Sequence, residues 1–276
     1  MSDFSLIGGG SEYLSGGYDL ANTVGTSVTS SATANTQGAW VELVSAANNT
    51  MQSDSLSVYM GSDGGIAQLN FLVNIGIGTT ETVIFPDLYA QTASDSSGMK
   101  VFRYDFPLGI PAGQKISAQC SSNGSSGLIK VWIVRGYHAL SQDSPLGIVT
   151  AYGANTGASS GTIVARSTAN TFGSWVQLSA STAEEMRGFV VAAIRAQASW
   201  TTGQRIVYQV GIGSAGNEEV IFSGQEIATN AQEVGNGHIS PFVAVQIASG
   251  QRVAIRAQSN AANADGDLDY VIYGVR

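Results

Sequence analysis

The sequence predicts an all-β protein made of two tandem homologous β-sandwich domains. Jelly-roll topology is the first choice and an immunoglobulin-like sandwich the alternative. Three observations lead there. The chain repeats itself, its apolar residues alternate with period two, and its short apolar segments are separated by turns rich in Gly, Asn, Asp and Ser.

The repeat is read from five blocks in the same order. TANTQGAWVEL (33–43) matches TANTFGSWVQL (168–178), and FLVNIGIG (71–78) matches IVYQVGIG (206–213). ETVIF (81–85) matches EEVIF (218–222), and IPAGQKISAQCSSN (110–123) matches IASGQRVAIRAQSN (247–260). KVWIVRG (130–136) matches LDYVIYG (268–274). A slowly drifting offset through all five predicts a duplication. The expected division is a flexible N-terminal arm over 1–17, a first sandwich over 18–139, a linker over 140–149 and a second sandwich over 150–276. Each repeat then has an ordinary domain size.

Within the first repeat, strands are expected near 38–45, 54–60, 66–77, 82–91, 100–106, 114–121 and 128–137, with a weaker one near 23–31. The second follows with 173–179, 188–196, 204–212, 219–228, 240–246, 251–258 and 267–275. TAEEMRG (182–188) reads as one helical turn. Seven or eight strands in a domain this small fit a two-sheet sandwich, and eight fit a jelly roll.

Composition narrows the function. Charged residues are only 12% of the chain and hydrophobic ones 43%, which predicts a packed core. The net charge is −8 and the basic residues are scattered, so neither a nucleic-acid groove nor an anionic membrane is an expected partner. The first twenty residues lack a basic start followed by an apolar run, so no signal peptide or membrane span is expected. The expectation is a soluble protein made in a cytoplasm.

Positions kept in both repeats serve the fold or are used twice. Trp40 and Trp175 fall on the more polar face of their strands, as a subunit contact, as a sugar platform, or beneath a neighbouring loop. The repeated G-I-G (Gly76/Gly78, Gly211/Gly213) leads into a strand, not a helix, so a bulge or tight bend is expected rather than a phosphate loop. Glu81 and Glu218 are expected to solvate a turn. Cys120, alternating with Ile116 and Ala118, reads as a small core residue. His138 and His238 do not align with each other and lie in no catalytic motif. NADGDLD (263–269) spaces three aspartates like a cation loop, but a plain turn is the simpler reading. No cofactor, metal or catalytic residue is expected. In the arm, Phe4, Leu6, Ile7, Tyr13 and Leu14 are spaced among glycines as interface candidates, beside Trp40 and Trp175.

The blocks IPAGQKISAQCSSN and IASGQRVAIRAQSN, each followed by a turn and a last strand with VWIVRG or YVIYG, resemble β-rich structural proteins of tailed-bacteriophage virions. Those include capsid decoration (cement) proteins and tail-associated proteins. The resemblance implies a non-enzymatic virion component without cofactor that binds the phage major capsid protein or other virion subunits. A homo-oligomer, dimer or trimer, is expected with it. The alternative is a tail-tip or fibre adhesin that binds carbohydrate through Trp40, Trp132, Trp175 and Trp200. A depolymerase needs two carboxylates at a defined separation, and no such pair is repeated.

Overall fold

The computed structural model describes residues 11–16, 25–61, 69–92, 101–138, 147–165, 168–195, 204–228, 237–260 and 268–276. The first half contributes β1 (Ser11–Gly16), β2 (Thr26–Thr29), β3 (Val41–Val44), β4 (Ser55–Gly61), β5 (Asn70–Ile77), β6 (Thr82–Gln91), β7 (Val101–Phe106), β8 (Ile116–Ser122) and β9 (Leu128–His138). The second contributes β10 (Val149–Tyr152), β11 (Thr162–Val164), β12 (Val176–Ser179), β13 (Gly188–Arg195), β14 (Gln204–Ile212), β15 (Glu219–Ala228), β16 (Gly237–Ile239), β17 (Val253–Ser259) and β18 (Leu268–Val275).

Strand order gives the topology. In the first half β2 lies beside β9, then β4, then β7, and the second sheet runs β3-β8-β5-β6. Counting from β2, these orders are 1-8-3-6 and 2-7-4-5, which is a jelly roll. The second half has β11, β18, β13, β16 in one sheet and β12-β17-β14-β15 in the other, the same two orders. Alternation drives the strands. In β4, Leu56, Val58 and Met60 are buried while Ser55, Ser57 and Tyr59 face outward.

The arm expectation is corrected at its end. Ser11–Gly16 is not free chain but pairs with β9, Ser11 opposite His138 and Gly16 opposite Ile133. The reason is an open edge. β9 is long, β2 covers only Leu128–Val131, and the remaining backbone groups need partners. The same division recurs where β11 covers Leu268–Tyr270 and β10 covers Ile272–Val275. Among the described residues the strands of the first half begin at Ser11 and those of the second at Val149, a residue the linker expectation had included. Residues 1–10 and 140–146 lie outside the described residues.

Three local expectations also change. TAEEMRG forms bends rather than a helical turn, with Met186 bridging to Ile247, while a short 3₁₀ turn forms instead at Ala46–Asn48 under the Ser45 cap. The strand expected at 240–246 lies at Gly237–Ile239, followed by an isolated bridge at Val243. The last sequence block is one residue out of step. Val28 faces Ile129 and Val164 faces Leu268, so the counterpart of Trp132 is Val271.

The two sandwiches share a core. Alternate residues of β13 and β18 divide between two clusters. Phe189, Val191, Ala193, Tyr270 and Ile272 fill the second sandwich. Val190, Ala192, Ile194, Val271, Tyr273 and Val275 pack with Phe85, Leu88, Tyr104 and Phe106 of the first. The outward face of sheet β10-β18-β13-β16 is therefore seated on the β6–β7 edge of the first sandwich. Tyr273 meets Tyr104 edge-on at 5.3 Å and Phe106 at 6.4 Å. Ser159 Oγ donates to Ser121 Oγ at 3.0 Å across the same seam.

The acceptor for Tyr273 comes from a bulge. Leu88 faces Val73 and Phe85 faces Ile75, so Pro86 and Asp87 together oppose Asn74. Asp87 takes φ +51°, and its N–H donates to Asn74 Oδ1 at 2.7 Å. This turns the Asp87 carbonyl toward Tyr273. The second half lacks this bulge, and Ser223 simply faces Gln209.

Candidate functional site

The seam occupies one outward sheet face of the second sandwich, and the equivalent face of the first has a different chemistry. Where β13 presents Val190 and Ala192, β4 presents Ser57 and Tyr59. Where β18 presents Val271, β9 presents Trp132. Tyr59 faces Trp132 on one side and Arg103 on the other. The two rings stack with centroids 5.2 Å apart and planes 9° apart, and the Arg103 guanidinium carbon lies 5.4 Å from the Tyr59 ring. Asp105 Oδ1 accepts from Arg103 Nε at 2.9 Å and from Ser57 Oγ at 2.5 Å. Gly25 has φ +68°, and a Cβ there would sit 2.9 Å from the Trp132 ring, so the indole rests on bare backbone. The result is a half-buried aromatic ladder ending in a charge-balanced pair.

The outward faces of the other two sheets carry the repeated tryptophans. Trp40 and Trp175 lie across their sheets, not into the sandwich cores. A Cβ on Gly76 would come 2.9 Å from the Trp40 ring, and one on Gly211 would come 2.7 Å from the Trp175 ring. The repeated Trp and the repeated G-I-G are therefore one device, in which glycine leaves room for an indole. A register shift falls beside each of these glycines, as a bulge requires.

Glu81 and Glu218 do more than solvate a turn, which corrects that expectation. Glu81 pairs with Lys115, and Glu218 pairs with Arg252. Both cations follow the repeated Gly-Gln, so the partner was visible in GQK and GQR. Desolvation pushes the Glu218 carboxyl up, but hydrogen bonds from its own and Gly216's N–H and the Arg252 guanidinium outweigh it. The carboxyl ends below the ordinary range.

The second sandwich adds a feature that the first lacks. The Arg256 guanidinium carbon lies 4.4 Å from the Trp175 ring centroid and 4.8 Å from that of Phe172. Its Nε and Nη2 both donate to Gln209 Oε1, at 2.9 and 2.7 Å. Strand register puts Gln119 and Asn74 at the equivalent places in the first sandwich. The sequence reading missed Arg256 and Phe172 because it sought only what the repeats share.

Of the remaining candidates, Phe4, Leu6, Ile7 and Trp200 lie outside the described residues, as do 261–267 of the aspartate-rich loop. Tyr13 and Leu14 fall on β1 opposite Gly136 and Arg135. Asp269 is buried in the seam and accepts from the Tyr89 hydroxyl at 2.8 Å, so it belongs to the fold rather than to a cation loop. Cys120 is fully buried, and burial pushes its thiol up to about 12. His238 sits 3.3 Å from the Tyr208 hydroxyl, and burial lowers its imidazole below the usual value. Among the described residues, no three His, Cys, Asp or Glu side chains gather as metal ligands do.

No protein-family model and no curated protein matches the chain. Among solved structures the chain is similar to PNGF-II in the C2 space group, at 8% identity and a TM-score of 0.43 over 95% of this chain. It spans 64% of PNGF-II's length. It is also similar to the N-terminal CBM22-1-CBM22-2 tandem domain from Paenibacillus barcinonensis Xyn10C, at 10% identity and a TM-score of 0.29 over 97% of this chain and 91% of that one. A third is infectious bursal disease virus Gt strain, at 10% identity and a TM-score of 0.24 over 100% of this chain and 73% of that one. Identities this low say nothing about ligand or activity.

Proposed function

We propose that the chain is a non-catalytic structural protein of a tailed-phage virion, a capsid decoration (cement) protein bound to the major capsid protein and working as a dimer or trimer. The observation that supports this reading is the shared core between the sandwiches. A decoration protein must seat itself identically at many equivalent sites, and a hinge between its halves would cost ordering free energy at each one. The seam built on Tyr273 removes that hinge within the chain. The low charge and the many Ser, Thr and Asn residues suit polar, wet contacts with other subunits.

A second reading, a glycan-binding adhesin at the tail, is favoured by the half-buried rings on outward faces: Tyr59 with Trp132, and Trp175 with Phe172. Immunogold electron microscopy of particles from the source separates the two. Label over the head supports the decoration reading. Label confined to the tail or its tip supports the adhesin reading and rejects the first, and particles without label reject both.

A further inference from the structure

Arg256 differs from Arg252, the other arginine that its strand segment presents on this face. Arg252, two pleat repeats away, meets the Glu218 carboxylate, as Lys115 meets Glu81 and Arg103 meets Asp105. Arg256 meets no carboxylate among the described residues. Its guanidinium is nonetheless held in place. One edge, Nε and Nη2, is spent on Gln209 Oε1, and its plane is positioned by Trp175 and Phe172. The edge left over is the Nη1–Nη2 fork, the geometry that a carboxylate accepts through two parallel hydrogen bonds. Its orientation is set before anything binds, so little rotamer freedom remains to be lost.

The surroundings say what kind of carboxylate fits. Proteins that read acidic peptides or phosphates gather several arginines, whereas here one cation, without a carboxylate among the described residues, is set against two half-buried rings and on the Gln209 amide, while the neighbouring Arg252 is neutralised by Glu218 and donates through Nε to Gln177 Oε1 at 3.0 Å. Rings take the apolar face of a pyranose, amides take its hydroxyls, and the single fork takes one acid group. We propose that Arg256, Trp175, Phe172 and Gln209 form a subsite for a carboxylate-bearing sugar residue, a uronic or sialic acid, of a surface glycan. Among the described residues the subsite occurs once, because the first sandwich has Gln37 and Gln119 where the second has Phe172 and Arg256. It stands whether the chain sits on a phage head or a phage tail.

The test is calorimetric titration of the full chain with 3′-sialyllactose and with oligogalacturonate, against neutral lactose and an oligoglutamate peptide. Arg256→Gln is the matched variant, since Gln119 occupies the equivalent strand position in the same fold. Saturable binding of one acidic sugar is expected, weakened at least tenfold by Arg256→Gln at an unchanged melting temperature. Arg256→Lys, which keeps the charge and loses the fork, is expected to weaken it severalfold. Binding of neither acidic sugar overturns the proposal. So does equal binding by lactose, equal binding by Arg256→Gln, or a preference for the peptide.

Discussion

The Tyr273 hydroxyl accepts the backbone N–H of Tyr89 at 2.7 Å, although 184 residues of chain separate them. The same hydroxyl donates to the Asp87 carbonyl at 2.9 Å, and the Tyr104 hydroxyl donates to the Tyr89 carbonyl at 2.5 Å. A strand of one sandwich thereby completes the edge of the other. Burial raises the pKa of all three phenols, so they stay protonated and able to donate.

Tyr273→Phe keeps the ring and removes both hydrogen bonds. It leaves the buried Tyr89 N–H and the part-buried Asp87 carbonyl without this partner, which costs about 1–3 kcal/mol. Urea denaturation followed by tryptophan fluorescence is expected to show that loss together with a second transition as the halves uncouple. A superimposable single transition would contradict the seam.

Adding one methyl group tests the Trp–Gly device. Gly211→Ala and Gly76→Ala place a Cβ inside the contact distance of Trp175 and Trp40. Each is expected to destabilise by about 1–3 kcal/mol as the indole shifts outward. The fluorescence maximum should move to the red in both, and an unchanged spectrum would mean that the rings are not seated there.

Glu218 makes stability depend on pH in one direction. Its carboxyl is held below the ordinary value in the fold, so the stabilisation is present above that ordinary value. It is lost as pH falls toward the folded value. Glu218→Gln is expected to melt lower than the parent at neutral pH and to converge with it in acid. Parallel melting curves across the whole range would refute the pairing with Arg252.

Cys120 should behave as a core residue. With its thiol pushed up to about 12 and fully buried, the folded chain is expected to resist iodoacetamide at pH 8. Denaturant should expose it to stoichiometric labelling, and rapid alkylation of the native chain would place it elsewhere.

Much of this fold was legible because burial writes itself into the sequence with period two. β4 reads SLSVYMG, and its alternation alone places Leu56, Val58 and Met60 inward. The jelly-roll choice followed from strand count and is matched by the strand orders. The short edge strands β1, β10 and β11 were not legible. They answer to open backbone groups on β9 and β18, and backbone pairing leaves little trace in side chains. The seam had a signal that alternation hides. FVVAAI (189–194) and YVIYGV (270–275) are continuous apolar runs, as strands covered on both faces must be. At the candidate surfaces, comparing the halves located Trp40 and Trp175, while Arg256 and Phe172 became visible only where the halves differ.

The most direct test of the proposed role is quantitative mass spectrometry of gradient-purified particles from the source, before and after a high-salt wash. A virion component of the kind proposed is expected at a fixed copy number relative to the major capsid protein, retained through the wash. Absence of the chain from the particle band, with the protein left in the soluble fraction, would contradict the account.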